Sequence, residues 1–237
     1  MPLKATLKQA LGSLASIDFL EKLTEYSLRQ KAPSVSLAGS EPVAAQGTTW
    51  SEVADGGRRK LWRKTFDRIG ARDILLLEFG VFKGDSMREF VSLNTSPDSR
   101  FFGFDSFEGL PEVWRGTSRE HFSVHGQFPD IADSRVRFVK GWFNKTLEPM
   151  LDELAELAKG RQVIVHFDAD LYSSSLYLLF TLYRRFPDYV FIFDEFDGHE
   201  TRALYNFVQA TGAGTEFFHH VLWQGCPTSV SGRLTAG

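Results

Sequence analysis

The chain has 237 residues, with 43% hydrophobic and 24% charged residues, enough for one sizeable domain with a buried core. Its 27 Lys and Arg against 30 Asp and Glu give a formal charge of -3, which argues against nucleic acid as a partner. A single Cys excludes an internal disulfide framework and suits a reducing compartment.

No apolar run reaches the roughly 18 residues of a spanning helix, and the first residues lack a cleavable apolar leader. A cytoplasmic protein without membrane association is therefore expected. Leu3, Leu7, Leu11 and Leu14 recur at helical spacing, and 17–29 reads as a second amphipathic segment. Residues 31–51 lose periodicity around Pro33, Gly39, Pro42 and Gly47, and read as a disordered linker or as a lid. The expected organisation is an accessory helical region over 1–55, followed by a main domain over 56–237. A homo-oligomer is left open.

Arg58–Ile69 is predicted helical and stopped by Gly70. Short apolar runs then alternate with helices. Strands are expected over Ile74–Phe79, Arg100–Phe104, Val136–Val139, Val163–Phe167 and Tyr189–Phe193. Most are near-continuously apolar rather than alternating, as strands buried on both faces must be. Helices are expected near Ser86–Leu93, Leu147–Lys159, Ser174–Phe186 and Glu200–Gln209, with a capping box from Ser86 to Glu89. Glu216–Trp223 and Thr228–Leu234 read as closing antiparallel strands. The pattern predicts a doubly wound α/β domain with helices on both faces.

Glu78, Gly80 and Gly84 form a turn between the first buried strand and its helix. The spacing is Gly-x-x-x-Gly, not the Gly-x-Gly-x-x-Gly of a dinucleotide site, which weighs against a nicotinamide oxidoreductase. An acidic residue heading the turn suits a ligand with a cationic near end, such as S-adenosylmethionine. Asp105 ends the second strand, 27 residues after Glu78, where a carboxylate can accept both hydroxyls of a ribose.

The fourth strand runs into Asp168 and Asp170, and the fifth into Asp194, Glu195 and Asp197. Asp168 and Asp194 are 26 residues apart with one helix between them, so these carboxylates are expected at neighbouring strand ends. Such a cluster needs something positive, and a hard divalent cation takes oxygen ligands of this kind. A cation there could acidify a bound hydroxyl, with a carboxylate taking the proton. His199 lies just beyond the fifth-strand loop, within reach of a substrate. His166 reads as a packed, hydrogen-bonded histidine, and His219-His220 as a pair facing opposite sides of a strand. Trp114, Phe122, Phe128, Trp142 and Phe143 are candidates for an acceptor wall or for core.

Four stretches occur in order: Leu77-Glu78-Phe79-Gly80-Val81-Phe82-Lys83-Gly84, Gly103-Phe104-Asp105-Ser106-Phe107-Glu108-Gly109-Leu110-Pro111, Phe138-Val139-Lys140-Gly141-Trp142-Phe143 and Asp168-Ala169-Asp170-Leu171-Tyr172-Ser173-Ser174. Together they resemble class I S-adenosylmethionine methyltransferases of the macrocin O-methyltransferase (TylF-like) group, over about residues 56 to 212. The resemblance implies a Rossmann-like, mostly parallel seven-stranded sheet with an antiparallel final strand. It implies methyl transfer to a hydroxyl of a sugar or glycosylated natural product with Mg²⁺ help. Glu78, Gly80 and Gly84 would surround the methionine end, and Asp105 and Ser106 the ribose. Asp168 and Asp170 would supply a base and a metal ligand in an unassigned order, and Asp194 and Glu195 further ligands. Two departures stand out. The chain has Asp194-Glu195-Phe196 where the group has Asp-Asp-Tyr, and Phe186-Pro187-Asp188-Tyr189 in place of a Gly-Gly turn. Methylation of a catechol-like acceptor and a non-catalytic binding role are the alternatives.

Overall fold

The computed structural model describes residues 35–237 except Asp197, and leaves the side chain of Trp50 undescribed. The anticipated helices over 3–14 and 17–29, and residues 31–34 of the connection, lie outside the described residues.

The described chain begins with a two-residue strand, β1 (Glu41–Pro42), and helix α1 (Trp50–Ile69). Next come β2 (Ile74–Phe79), α2 (Asp85–Leu93), β3 (Arg100–Asp105) and β4 (Val136–Lys140). A short helix α3 (Phe143–Thr146), a 3₁₀ turn (Glu148–Met150) and α4 (Leu151–Ala158) follow. The chain then forms β5 (Gln162–Phe167), α5 (Tyr172–Tyr183), β6 (Tyr189–Phe193) and α6 (His199–Thr211). It closes with β7 (Gly214–Trp223) and β8 (Cys226–Thr235).

The strands form one sheet in the order β1-β7-β8-β6-β5-β2-β3-β4. Among the described residues the count is eight rather than the expected seven, because β1 adds to the edge of β7 at Glu41↔His219 and Pro42↔His220. β8 alone runs antiparallel to its neighbours β6 and β7. Every residue of β2 and β6 is buried. Alternate residues of β2 feed opposite cores: Leu75 and Leu77 meet α4, α5 and α6, while Ile74 and Leu76 meet α1 and α2. Each such buried side chain contributes about 1.5–3 kcal/mol, so the central strands are a rigid base for whatever sits at their ends.

Helix α1 starts eight residues before the expected Arg58 and runs through the anticipated division at 55/56. Gly56 and Gly57 look like a break, since glycine disfavours helix interiors. The helix tolerates Gly57 because a Cβ there would lie 2.5 Å from Val221 of β7. Its start is fixed by a capping box in which Thr49 accepts from Glu52 N, and Glu52 accepts from Thr49 N. The box expected at Ser86–Glu89 does not form. Gly84 caps α2 without a side chain, Ser86 is buried, and Glu89 turns to Arg63 of α1 at 2.8 Å. The expected helix over Leu147–Lys159 is broken, its first turn being 3₁₀ where Pro149 intervenes.

Candidate active site

The chain leaves β2 toward β3 and β4, then returns to β5 on the other side of β2. Open α/β sheets bind ligands at such a reversal, outside the carboxyl ends of the strands. A cavity of about 880 Å³ lies there, lined from both directions. The ladder carries its walls into place. Asp168 N donates to Phe79 O at 2.9 Å, and Asp194 N donates to Phe167 O at 3.0 Å, so the two aspartates follow neighbouring strand ends.

On one side lies the turn after β2. Gly80 has φ 96°, and a Cβ there would lie 1.9 Å from Asp168 O. Glycine is required because the β5 exit passes so close. Asp105 Oδ2 accepts from Val81 N at 2.7 Å and Phe82 N at 2.8 Å, and its Oδ1 accepts from Phe107 N at 2.6 Å. The carboxylate expected at a ribose thus also ties two turns together, with lone-pair capacity remaining. Ser106 Oγ donates to Gly109 O and accepts from Glu108 N, stabilising the next turn.

The wall that adjoins this turn is charged. Asp168, Asp170, Asp194 and Glu195 all line the cavity. Asp170 has φ 59°, and Leu171 N donates to Ala169 O at 2.6 Å, so Asp170 heads a γ-turn of the strained, positive-φ hand. Behind this wall His166 is completely buried between Glu78, at 3.1 Å from Nδ1, and Asp194, at 3.5 Å from Nε2. The edges of Trp62 and Phe90 pack around its ring. Arg58 reaches from α1 to Asp194 Oδ2 at 2.7 Å.

Burial pushes the Asp168 carboxyl well above the usual carboxylate range, and the charges of Asp194 and Asp170 push it further. Burial and Glu195 do the same to Asp170. Burial, Asp168 and Asp170 raise Glu200, whose two oxygens have no hydrogen-bond partner among the described residues. Asp194 goes the other way. Burial opposes its ionisation, but the adjacent His166 and Arg58 outweigh it and hold the group below its ordinary value. Burial likewise opposes a charged His166, yet Asp194 and Glu78 carry it up to about 10. These are the opposed shifts that mark functional carboxylate sites.

The segment between β3 and β4 roofs the cavity with Leu110, Pro111, Glu112, Arg119 and Phe122. Phe122 meets Phe82 edge-on at 5.6 Å between ring centres. The roof is fastened to the acidic side by the Ser173 hydroxyl donating to Glu112, and by Arg115 with Glu195 at 3.4 Å.

Several expected positions fall elsewhere. Glu78 is fully buried and faces His166 rather than the cavity, because its strand is covered on both faces. Gly84 is not in the wall; a Cβ there would meet Pro129 at 2.8 Å, so that glycine serves chain packing. His199 is also outside it, and its Nδ1 accepts from Tyr172 N at 3.3 Å at the start of α5. Phe122, Trp142 and Phe143 line the cavity, whereas Trp114 and Phe128 do not. Among the described residues of the expected lid, none lines it; Val35 and Leu37 pack on the core and Val43 is buried.

The expected Mg²⁺ set is brought together without forming a metal-binding arrangement. Among the described residues no group of three or more His, Cys, Asp or Glu could hold an ion. Arg58 engages Asp194 and Arg115 engages Glu195, so guanidinium groups take carboxylates that a metal would need. As arranged, these residues do not fit the ion. Sequence reasoning missed Arg58, Arg115 and Glu200. The available signal for Arg58 was a charged residue four positions before Trp62, on the side of α1 that turns inward.

No helix among the described residues is long and apolar enough to cross a membrane. The chain is 29% identical over 125 residues to the 8-demethyl-8-(2,3-dimethoxy-alpha-L-rhamnosyl)-tetracenomycin-C 4'-O-methyltransferase of Streptomyces olivaceus, covering 42% of this chain and 44% of that one. It is 28% identical over 130 residues to the demethyldecarbamoylnovobiocin O-methyltransferase of Streptomyces niveus, covering 46% and 47%. The chain thus spans less than half the length of either curated relative. Its fold is similar to the solved structure of the O-methyltransferase NovP, with a TM-score of 0.52 and 20% identity over 75% of this chain and 77% of that one. The macrocin-O-methyltransferase (TylF) family matches residues 44–219, and the chain belongs to that family.

Proposed function

We propose that the protein is an S-adenosylmethionine-dependent O-methyltransferase acting on a hydroxyl of a sugar or glycosylated natural product. The observation that carries this reading is one cavity lined by the Gly80 turn and, directly adjoining it, by Asp168 with its acidic neighbours. Family membership and the names of the two relatives support it, one of them naming a rhamnosyl-bearing compound and its 4' position. Bound S-adenosylmethionine supplies an electrophilic methyl group on a sulfonium. The acidic wall suits that positive charge, and the turn lacks the three-glycine pattern of a pyrophosphate cradle.

Asp168 is assigned as the base. It adjoins Gly80 and lines the cavity, and burial together with the charges of Asp194 and Asp170 raises its affinity for a proton, as a general base requires. Asp168 would accept the hydroxyl proton as the acceptor oxygen takes the methyl group that bound S-adenosylmethionine would supply, with S-adenosylhomocysteine as the leaving product. Asp105 holds the turn, and Trp142, Phe143 and Phe122 form an apolar wall that limits water and orients the acceptor.

The test is Asp168→Asn assayed with S-adenosylmethionine and a panel of glycosylated acceptors. The expected result is a fall in turnover of about 10²–10⁴-fold with cofactor affinity kept within about tenfold. Turnover retained in Asp168→Asn but lost in Asp170→Asn would move the base to Asp170.

A further inference from the structure

We propose that Arg58 is the built-in counter-ion of the carboxylate wall, taking the place of a divalent metal, so that removing its guanidinium turns the wall into a divalent-cation site. The inference rests on the methyltransferase reading only for its effect on turnover; its binding test stands apart.

Four observations carry it. Arg58 Nη1 lies 2.7 Å from Asp194 Oδ2, an aspartate only 1% exposed. The other arm, Nη2, is held at 2.7 Å by Asp55, one helical turn earlier on α1. The guanidinium is therefore aimed by its own helix before any ligand arrives. Its guanidinium carbon lies 5.9 Å from the Trp62 ring centre, and both residues line the cavity. Finally, Asp194 Oδ1 is buried without a hydrogen-bond partner among the described residues, its nearest cation being His166 Nε2 at 3.5 Å. Asp194 thus has a guanidinium on one oxygen and an imidazole beyond the other.

A magnesium ion needs oxygen ligands at about 2.1 Å in nearly ideal octahedral geometry. Any ion bridging Asp194 to Asp168 would have to displace the guanidinium or sit beside it and be repelled. Arginine stays protonated throughout the working pH range, so this counter-charge is permanent. Arg115 repeats the arrangement at the rim, against Glu195 at 3.4 Å. The Glu195 side chain stands where the group carries the shorter Asp, and its pairing with Arg115 gives that departure a physical role.

The experiment is a Mn²⁺ titration of metal-stripped protein followed by the electron paramagnetic resonance of the free ion. Wild type, Arg58→Met, Arg58→Lys and the double variant Arg58→Met/Asp194→Asn are compared. Wild type and Arg58→Lys are expected to bind more weakly than about 1 mM, the weak limit of protein sites for hard cations. Arg58→Met is expected to bind about tenfold tighter or more, as relief of one close like-charge repulsion implies, and the double variant to lose the gain. Wild type binding Mn²⁺ well below that limit, or Arg58→Met binding no tighter than wild type, overturns the proposal. The wild-type and Arg58→Lys measurements decide it even where Arg58→Met fails to fold. Turnover of stripped wild type should be unchanged on adding Mg²⁺; a rise of about tenfold, the scale of one lost close charge, also overturns it. A calorimetric titration with S-adenosylmethionine separates the two claims. Absence of cofactor binding sinks the function while leaving the Mn²⁺ result intact.

Discussion

Two sides of one cavity are held by opposite means. At the Gly80 turn, the Asp105 carboxylate receives three backbone N–H groups, from Val81, Phe82 and Phe107. Beyond that turn the acidic residues are held by charge: Asp194 depends on Arg58 and His166, and Glu200, outside the cavity behind them, is buried with neither carboxyl oxygen hydrogen-bonded among the described residues. A turn whose donors are satisfied is a fixed platform. A wall of crowded carboxylates holds proton affinities away from their ordinary values, which is what proton transfer needs. The first side resists change through geometry and the second through charge balance, so substitutions on the two sides should fail differently.

The largest effect is expected at His166. His166→Phe keeps an aromatic ring between Trp62 and Phe90 but takes the histidine from the buried Glu78 and leaves Asp194 with Arg58 alone. The expected loss is about 3–5 kcal/mol in urea unfolding, as when one partner of a buried ion pair is removed. The pH dependence has a definite sign. The folded-state value of about 10 lies above the ordinary 6.5, so the stabilisation is complete below pH 6.5 and is lost as pH rises through about 10. Wild type should therefore weaken across that alkaline window, and His166→Phe should not. Identical alkaline curves would mean that His166 is a neutral packing residue.

Gly80→Ala tests the geometric side. The added Cβ would meet Asp168 O at 1.9 Å in a backbone with φ 96°. Gly116→Ala is the control, since its φ is also positive at 76° but nothing lies within 4 Å of the added carbon. Each variant should incur backbone strain of about 1–3 kcal/mol. The Gly80 variant should lose more, by roughly another 1–3 kcal/mol of overpacking. It should also show weakened S-adenosylmethionine binding by calorimetry. Equal melting shifts for the two variants would remove the close approach from the account.

How far the sequence reveals this arrangement differs between the two sides for a physical reason. The apolar run over 189–193, and that over 74–79 interrupted only by Glu78, mark strands covered on both faces, and the strands form as read. The convergence of Asp168 with Asp194 follows from strand order and was readable too. The start of α1 was not. Gly56-Gly57 resembles a stop unless the approach of Val221 from 164 residues further along is known. The burial of Glu78 against His166 was not readable either, because a residue at a strand end points to either face of the sheet with little local signal to choose. Arg58 shows the limit most clearly. Its partner Asp194 is 136 residues away, and only the packing of α1 on the sheet brings them together. Carboxylates announce themselves by motif; the cations that balance them come from elements whose spacing says nothing of the meeting.

Glu200 offers the smallest effect and the finest test of charge balance. Its carboxyl is buried at the start of α6, outside the cavity wall, with its proton affinity raised by burial and by Asp168 and Asp170. A carboxyl whose folded value lies above its unfolded 4.5 keeps its proton longer in the folded state. Stability then falls as pH rises from that value toward the raised one, because the folded state binds more protons there. Glu200→Gln has nearly the same shape and cannot ionise, so it should match wild type near pH 4 and exceed it near pH 8. The expected gain is on the order of 1 kcal/mol, or about 2–4 °C in melting temperature. A gain of equal size at both pH values would point to amide hydrogen bonding instead. A loss at pH 8 would mean that the Glu200 charge is balanced by a cation, and that the wall is less crowded than its neighbours imply.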